Sequence, residues 1–290
     1  MDFKYIREGI YKMRCLFCKE NSDNTKSVEH IVPEALGNKN YILPKGYVCD
    51  KCNNYFSREV EKPFLEYPEI RLLRFQEAIP NKKNRMPTIK GLYNGKLPII
   101  LKRKVSHGKV INEIEMPEET LRLISAGREK ESTIIFPAFT NGMQFQSNNI
   151  ISRFLSKIAV EALAEKMKTV DNSLEDLIDN QYLDDVRNHA RFGINKNWPC
   201  SIRRVYDYDK FWKYADDEIS QKVFECDFLC TEINPQLDSR MFFVELYFII
   251  ILWGMEFAIN MGGAEIESYE KWLKEHDNVS PLYYDKNNDI

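Results

Sequence analysis

Two Cys-x-x-Cys pairs, Cys15/Cys18 and Cys49/Cys52, are the part of this chain whose spacing most directly predicts chemistry. Four thiolates complete the tetrahedral shell of one Zn²⁺ and leave no open position, so the pairs alone predict a structural zinc site. A plain zinc ribbon separates its pairs by roughly 15 to 20 residues, whereas thirty residues separate them here. The longer insert has room for a hairpin that the same zinc fixes at both ends.

The insert and its flank carry side chains that suit a reactive site. Glu29 and His30 lie inside the insert in the segment Glu-His-Ile-Val-Pro, and Asn53 follows the second cysteine pair directly. Because the zinc holds both ends of the insert, we expect this carboxylate, imidazole and carboxamide to lie close together in space. An isolated Glu-His pair is usually structural or solvated, so the prediction depends on the whole set.

This order of residues resembles the HNH endonuclease family, a ββα-metal nuclease fold, in its four-cysteine branch with Glu-His-Ile-x-Pro followed by Cys-x-x-Cys-Asn. The resemblance covers Cys15 to about Phe56. It implies that His30 is the general base that takes a proton from water, and that Glu29 and Asn53 bind a catalytic divalent metal. Since Glu and Asn are hard oxygen donors, Mg²⁺ or Mn²⁺ suits that second site better than zinc.

Two positions of the resemblance have alternatives. Asn54 replaces Asn53 as the ligand if the register of the following helix differs by one residue. The family also has a middle Asn that orients the loop of the base, and at its expected place this chain has Pro44–Gly46. Of the asparagines upstream, Asn38 and Asn40, we expect Asn40 to substitute for it.

Charge is distributed unevenly along the chain. The net charge is −3, but residues 1–110 hold 22 Lys and Arg against 12 Asp and Glu, and residues 111–290 hold 19 against 32. Such an asymmetry indicates a part that faces nucleic acid and a separate acidic part. The expected phosphate contacts, weighed against an ordinary solvated surface, are Lys82, Lys83, Arg85, Lys102, Arg103 and Lys104.

Composition places the protein among globular chains. The apolar run 241–261 is broken by Glu245 and Glu256, so it is too short for a membrane span. The first residues lack a secretory signal, and seven cysteines in a long chain argue against a disulfide framework. We therefore expect a cytoplasmic protein with reduced thiols. His107 and His189 lack partners of the Glu29 kind and are interpreted as surface or structural residues.

The predicted fold class is α+β, with a small zinc-containing ββα-metal (HNH) module at residues 1–65 and a larger mixed α+β domain at residues 66–290. The second domain is basic over 66–110 and acidic over 111–290. Apolar spacing predicts the elements. We expect helices at 53–60, 69–77, 118–126, 151–167, one from Ser173 to Gly193, and 265–275, and strands within 79–111, at 134–139 and within 241–261.

The primary functional hypothesis is a metal-dependent endonuclease that hydrolyses phosphodiester bonds in DNA, with RNA not excluded. The alternative is a zinc-dependent module that binds nucleic acid without cleaving it. A third hypothesis makes the chain a protein-interaction component, in which the acidic rear domain contacts a partner. The sequence does not determine the oligomeric state.

Overall fold

Short elements at the start of the described chain carry the two cysteine pairs. The structure, a computed structural model, describes residues 12–81, 83–107, 109–127, 132–170, 173–194, 198–213, 219–232 and 244–284. An antiparallel pair of strands is followed by a nearly continuous helical segment. The strands are β1 (Glu29–His30) and β2 (Ile42–Leu43). The helical segment consists of α1 (Asp50–Phe56), a π turn (Ser57–Glu61), α2 (Lys62–Leu65) and α3 (Pro68–Gln76).

Helix α1 begins three residues before the start that the sequence predicted. Cys49 is its N-cap, and the Cys49 Sγ accepts a hydrogen bond from the Cys52 N–H at 3.4 Å. A thiol is an unusual cap, since the preferred cap residues are Ser, Thr, Asp and Asn. The second cysteine pair therefore forms the first turn of the helix.

A four-stranded antiparallel sheet follows, in the order β5-β4-β3-β6. The strands expected within residues 79–111 are therefore confirmed, and so is the helix expected at 118–126. The elements are β3 (Ile89–Tyr93), β4 (Leu97–Ser106), β5 (Lys109–Glu115), α4 (Glu118–Ala126) and β6 (Ile134–Ile135).

Three helices follow: α5 (Asn149–Met167), which is buried along most of its length, α6 (Ser173–Asp179) and α7 (Asp184–Phe192). The Asn148 side chain caps α5 by accepting two backbone N–H groups. One helix was expected from Ser173 to Gly193, and that expectation is wrong, because the Asn180 side chain accepts the Tyr182 N–H and starts a separate 3₁₀ turn. Gly193 ends α7 at φ 62°, as expected.

The apolar run 241–261 forms paired strands, as predicted, in a second antiparallel sheet of order β10-β11-β12-β7. Trp253 and Gly254 turn the chain at positive φ, and a Cβ on Gly254 would stand 2.0 Å from the Tyr206 carbonyl oxygen. The remaining elements are β7 (Ser201–Arg204), the hairpin β8 (Phe211–Lys213) and β9 (Ile219–Gln221), β10 (Phe224–Glu232), β11 (Val244–Leu252), β12 (Met255–Asn260), α8 (Glu267–Glu275) and α9 (Pro281–Tyr284).

Both faces of this sheet are covered, which explains why β11 is apolar without alternation. Phe248 and Ile250 belong to the main core, which also contains the inner face of α5. Tyr247 and Ile249 point the other way and pack with Tyr269 of α8. The main core continues from Cys15 to Met261, so the cysteine module and the following elements share one set of buried side chains. The boundary expected near residue 65 stays a prediction.

Candidate functional site

The four cysteines form one compact cluster. Their Sγ atoms all lie within 4.8 Å of one another, and the Cys18 and Cys49 sulfurs are 3.6 Å apart. Four sulfurs at about 2.3 Å from one zinc in a tetrahedron are about 3.8 Å apart, so the cluster fits structural zinc. A hydrogen bond from Cys52 lowers the pKa of Cys15 to about 5, while the same bond raises the pKa of Cys52 and burial raises that of Cys18 to about 11. One thiolate is therefore favoured before a metal binds, and the metal has to displace the protons of the others.

The first turn of α1 holds the strand that carries the motif. The Asp50 carboxylate accepts hydrogen bonds from the Ser27 hydroxyl at 2.5 Å and the Ser27 N–H at 2.9 Å. These bonds lower the pKa of Asp50, the hydroxyl bond most. Two residues beyond Ser27, β1 begins, so the helix fixes the position from which Glu29 and His30 extend.

Asn38 organises the loop that joins β1 to β2. Its amide nitrogen donates to the Val32 carbonyl at 2.6 Å and to the Tyr41 carbonyl at 2.8 Å, while its Oδ1 accepts the Asn40 and Tyr41 N–H groups at 3.1 and 2.8 Å. Asn38 is buried, whereas the Asn40 side chain is exposed. The loop-orienting task that the sequence analysis gave to Asn40 therefore belongs to Asn38.

Glu29 is buried, with 6% of its surface exposed, and forms an ion pair with Lys157 of α5. The Lys157 Nζ lies 2.5 Å from Glu29, 2.8 Å from Glu61 of the π turn and 3.0 Å from Glu161 one helical turn away. It also donates to the His30 carbonyl at 3.3 Å. We call Lys157 and these three glutamates the lysine cluster.

Burial and mutual charge set the protonation of the lysine cluster. Burial acts to lower the pKa of Lys157, but the carboxylates of Glu161, Glu29 and Glu61 outweigh it and raise that pKa well above its usual range. Burial also raises the pKa of Glu161, against the opposing effect of Lys157. The lysine is therefore a permanent cation beside Glu29, and Glu161 tends toward its neutral form.

His30 and Asn53 lie near the same strand but are held differently from Glu29. His30 is half-buried, opposite Ile42 in the hairpin, and its side chain leaves β1 on the face opposite to Glu29. Asn53 on α1 donates from Nδ2 to the Val28 carbonyl at 3.4 Å. Helix α1 therefore lies against the start of β1, with Asn53 beside the residue that precedes Glu29. Asn54 is exposed.

A cavity of about 580 Å³ opens beside the motif, between the loop after β1 and the helical segment that follows α1. Glu61 of the lysine cluster forms part of its wall, and the cations around it are Lys62, Arg74, Lys83 and Arg85. Lys83 and Arg85 are exposed. Arg85 also borders a second cavity beside β4, so exposed cations continue from the motif toward the first sheet.

The other expected phosphate contacts have partners inside the protein. Lys102 and Lys104 form ion pairs with Glu115 and Glu113 across the β4–β5 hairpin. Arg103 donates to the Phe75 and Gln76 carbonyls, both at 2.7 Å, and so fastens the hairpin to α3. Lys82 lies outside the described residues.

The comparison with known families agrees with this geometry: residues 15–67 match the family model of the HNH endonucleases. This segment is an HNH-type module. The match indicates a nuclease-like or nucleic-acid-related function. No curated protein and no solved structure matches the chain. Within the described residues, no helix combines the length and the apolar character that a membrane crossing requires.

The sequence did not indicate Glu61 or Lys157, and it favoured Asn40 over Asn38. Asn38 stands six residues after Val32, and its hydrogen bonds depend on the path of the loop. Lys157 and Glu161 have the i,i+4 spacing of an ordinary surface pair. Only their apolar neighbours in α5, among them Ile158 and Ala162, were a signal that they are buried together.

Proposed function

We propose that the chain is a metal-dependent endonuclease that hydrolyses phosphodiester bonds in DNA. The observation that carries the proposal is the arrangement of β1, β2 and α1 around the four-cysteine cluster, within a segment that matches the HNH endonucleases. Four thiolates leave a bound zinc without an open coordination position, so the task of the cysteines is to fix the module. The reactive groups are those that the module presents.

His30 is the proposed general base. Imidazole is the side-chain group best suited to this task near pH 7, because its neutral form accepts a proton from an attacking water. The His30 backbone carbonyl accepts a hydrogen bond from Lys157, and its strand is tied to α1 through Ser27 and Asp50. These contacts restrict the strand, so that the imidazole does not have to be ordered during the reaction.

Glu29 and Asn53 are the proposed ligands of the catalytic divalent ion. Their oxygens suit Mg²⁺ or Mn²⁺, and such an ion would supply positive charge to the scissile phosphate and the leaving 3′ oxygen. The donor types fit, but Lys157 holds Glu29 in this structure. Metal binding at this position therefore requires the Glu29 carboxylate either to contact the metal and Lys157 together or to break its ion pair with Lys157.

Lys83 and Arg85 are the proposed contacts to the DNA backbone. Both are exposed at the cavity beside the motif, and Arg85 also borders the cavity beside β4. Phosphate contacts release counterions, so binding through these residues should weaken as salt rises. With Lys102 and Lys104 engaged in ion pairs, substitution of Lys83 or Arg85 should weaken DNA binding more than substitution of Lys102 or Lys104.

One observation favours a second candidate function, a zinc-dependent module that binds nucleic acid without cleaving it. Glu29 is buried against a permanent cation, which is the environment of a structural carboxylate. A supercoiled-plasmid assay with Mg²⁺, Mn²⁺ and Zn²⁺ separates the two candidates. Cleavage supports the endonuclease, and salt-dependent binding without cleavage in any metal supports the binding module.

A further inference from the structure

Strand β5 is the outermost strand of the first sheet. Its inner edge pairs with β4, and among the described residues no strand pairs with its outer edge. All seven of its residues, Lys109 to Glu115, are exposed. An edge of this length presents a row of N–H and C=O groups on which another strand can be added.

The side chains of β5 are unusually apolar for an exposed edge. Val110, Ile111 and Ile114 expose 49%, 40% and 43% of their surface. Val105, which lies opposite Val110 on β4, exposes 52%. Exposed edges are commonly blunted by charged side chains, by Pro or by a bulge. Strand β5 carries the charges of Lys109, Glu113 and Glu115, but it has no Pro and pairs with β4 without interruption. Three large apolar side chains on a seven-residue edge therefore indicate a surface that is covered by a partner strand.

The sequence Lys-Val-Ile-Asn-Glu-Ile-Glu is complementary to its own reversed copy at four of its seven positions. When a second copy is paired antiparallel about Asn112, Lys109 stands opposite Glu115, Val110 opposite Ile114 and Ile111 opposite Glu113. Each pair occurs twice, because a two-fold axis repeats each contact. Opposite charges and apolar pairs directly across two strands are the contacts that stabilise a sheet.

The faces of the sheet agree with this register. Leu101 lies opposite Ile114 and Val105 lies opposite Val110, so these four side chains share one face. Adding the second β5 continues this apolar stripe with Ile114 and Val110 of the other copy. The charged pair of Lys109 and Glu115 falls on the opposite face, where Glu115 already contacts Lys102.

We propose that β5 is a dimer interface, in which two copies of this chain join their first sheets into one continuous eight-stranded sheet through antiparallel β5 strands centred on Asn112. The occupant of the edge is a second copy of the chain, since Lys109 and Val110 meet Glu115 and Ile114 when the strand faces its own reversed copy. The interface is independent of Glu29, His30 and Asn53, so loss of dimerisation and loss of cleavage are separate results.

Charge exchange across the two-fold axis tests the proposal. Lys109→Glu places a second carboxylate opposite Glu115 at both ends of the interface, and Glu115→Lys places a second ammonium group opposite Lys109 at both ends. Each variant alone should associate with itself at least about tenfold more weakly than the wild type, because like charges replace opposite charges. Mixing the two variants should restore dimers. In a mixed dimer, positions 109 and 115 carry carboxylates in one copy and ammonium groups in the other, so both facing pairs again have opposite charges.

The measurement is sedimentation velocity of the full chain, with circular dichroism and thermal unfolding to establish that each variant is folded. Lys109 makes no ion pair among the described residues, so Lys109→Glu should fold normally even if Glu115→Lys is affected by loss of its contact with Lys102. Lys90→Glu, an exposed change on β3 of the same sheet, is the matched control and should dimerise like the wild type.

Three results would overturn the proposal. The first is a wild-type protein that is monomeric at about 100 µM, a concentration that detects even a small interface. The second is a folded Lys109→Glu variant that self-associates like the wild type. The third is a mixture of the two folded variants that remains monomeric, because it would exclude the pairing about Asn112.

Discussion

Single residues hold the HNH module in place by contacts that bridge distant parts of the chain. Lys157 is the clearest case, since it joins α5 to Glu29 of β1 and to Glu61 of the π turn. Taking the cation away leaves several carboxylates buried together. The removal of one partner from a buried ion pair typically costs about 3 to 5 kcal/mol.

We therefore expect Lys157→Met to lower the free energy of unfolding by about 3 to 5 kcal/mol. Lys166→Met on the same helix should lower it by about 1 kcal/mol or less, because the Lys166 pair with Asp227 is exposed. Urea unfolding of both variants and the wild type measures the difference. Equal stability of the two variants would contradict the structural role of the lysine cluster.

Asn38 gives a second prediction at this scale. Asn38→Ala removes four hydrogen bonds and leaves the buried Val32 carbonyl without its Asn38 donor, so we expect a loss of about 2 to 3 kcal/mol in unfolding free energy. Asn40→Ala is the matched control and should change stability by about 0.5 kcal/mol or less, since that side chain is exposed. Comparable losses in both variants would contradict the assignment of the loop to Asn38.

Pairs of elements explain what could and could not be predicted from the sequence. The spacing of Phe154, Leu155 and Ile158 predicted α5 because an amphipathic helix records its buried face locally. The strands β11 and β12 were favoured over a helix because of their β-branched and aromatic residues and the Gly254 between them. The break at Asn180 was missed, since it depends on one side-chain hydrogen bond rather than on periodicity.

The candidate site shows the same limit. The cysteine pairs, Glu29, His30 and Asn53 are readable because their order and spacing lie within one short segment. The lysine cluster joins residues that are 128 positions apart in sequence, from Glu29 to Lys157. Nothing local to Glu29 indicates that its carboxylate meets a cation from α5. The same holds for the basic residues, since the pairing of Lys102 with Glu115 requires the register of the hairpin.

The contact between α5 and α7 should make the free energy of unfolding depend on pH. His189 of α7 is buried, is hydrogen bonded to the Ser152 hydroxyl at 2.9 Å and stacks on Trp198. Burial, with a smaller contribution from Arg153, lowers the pKa of His189 to about 4. In the unfolded chain its pKa is near ~6.5, so the unfolded state binds more protons between these two values.

The stability that neutral His189 provides is therefore complete above about pH 6.5 and is lost as the pH falls toward about 4, by up to about 3 kcal/mol. His189→Gln should be less stable at pH 7 but should lack this part of the pH dependence. His107→Gln, at an exposed histidine, should keep it. Urea unfolding at several pH values measures the slopes, and identical slopes in wild type and His189→Gln would contradict the assignment.

At the scale of the whole molecule, the four-cysteine cluster belongs to the same core as the elements that follow residue 66. Buried side chains run without interruption from Cys15 through Phe64 and Phe154 to Met261, and the Phe64 and Phe154 rings stack with their centroids 3.7 Å apart. Lys19 beside the first cysteine pair also forms an ion pair with Asp184 at the start of α7. Destabilising the module should therefore lower the stability of the whole chain.

Chelation of zinc should lower the thermal midpoint of the whole protein in a single transition, because binding energy for the metal is also folding energy. Cys52→Ser should have the same effect, while Cys230→Ser, at an exposed cysteine outside the cluster, should not. Scanning calorimetry with and without chelator measures it. A midpoint that does not respond to chelator, or a separate early transition with an unchanged main one, would contradict this coupling.

We propose that the module held by the four cysteines cleaves DNA with His30 as its base. The most direct test is the rate of nicking of supercoiled plasmid in Mg²⁺ and Mn²⁺ by the wild type, His30→Ala and the control His107→Ala, each shown to be folded. Positioned general bases contribute roughly 10²- to 10⁴-fold, so His30→Ala should be slower by at least about 100-fold, while His107→Ala should equal the wild type. Nicking by His30→Ala at the wild-type rate would contradict the account.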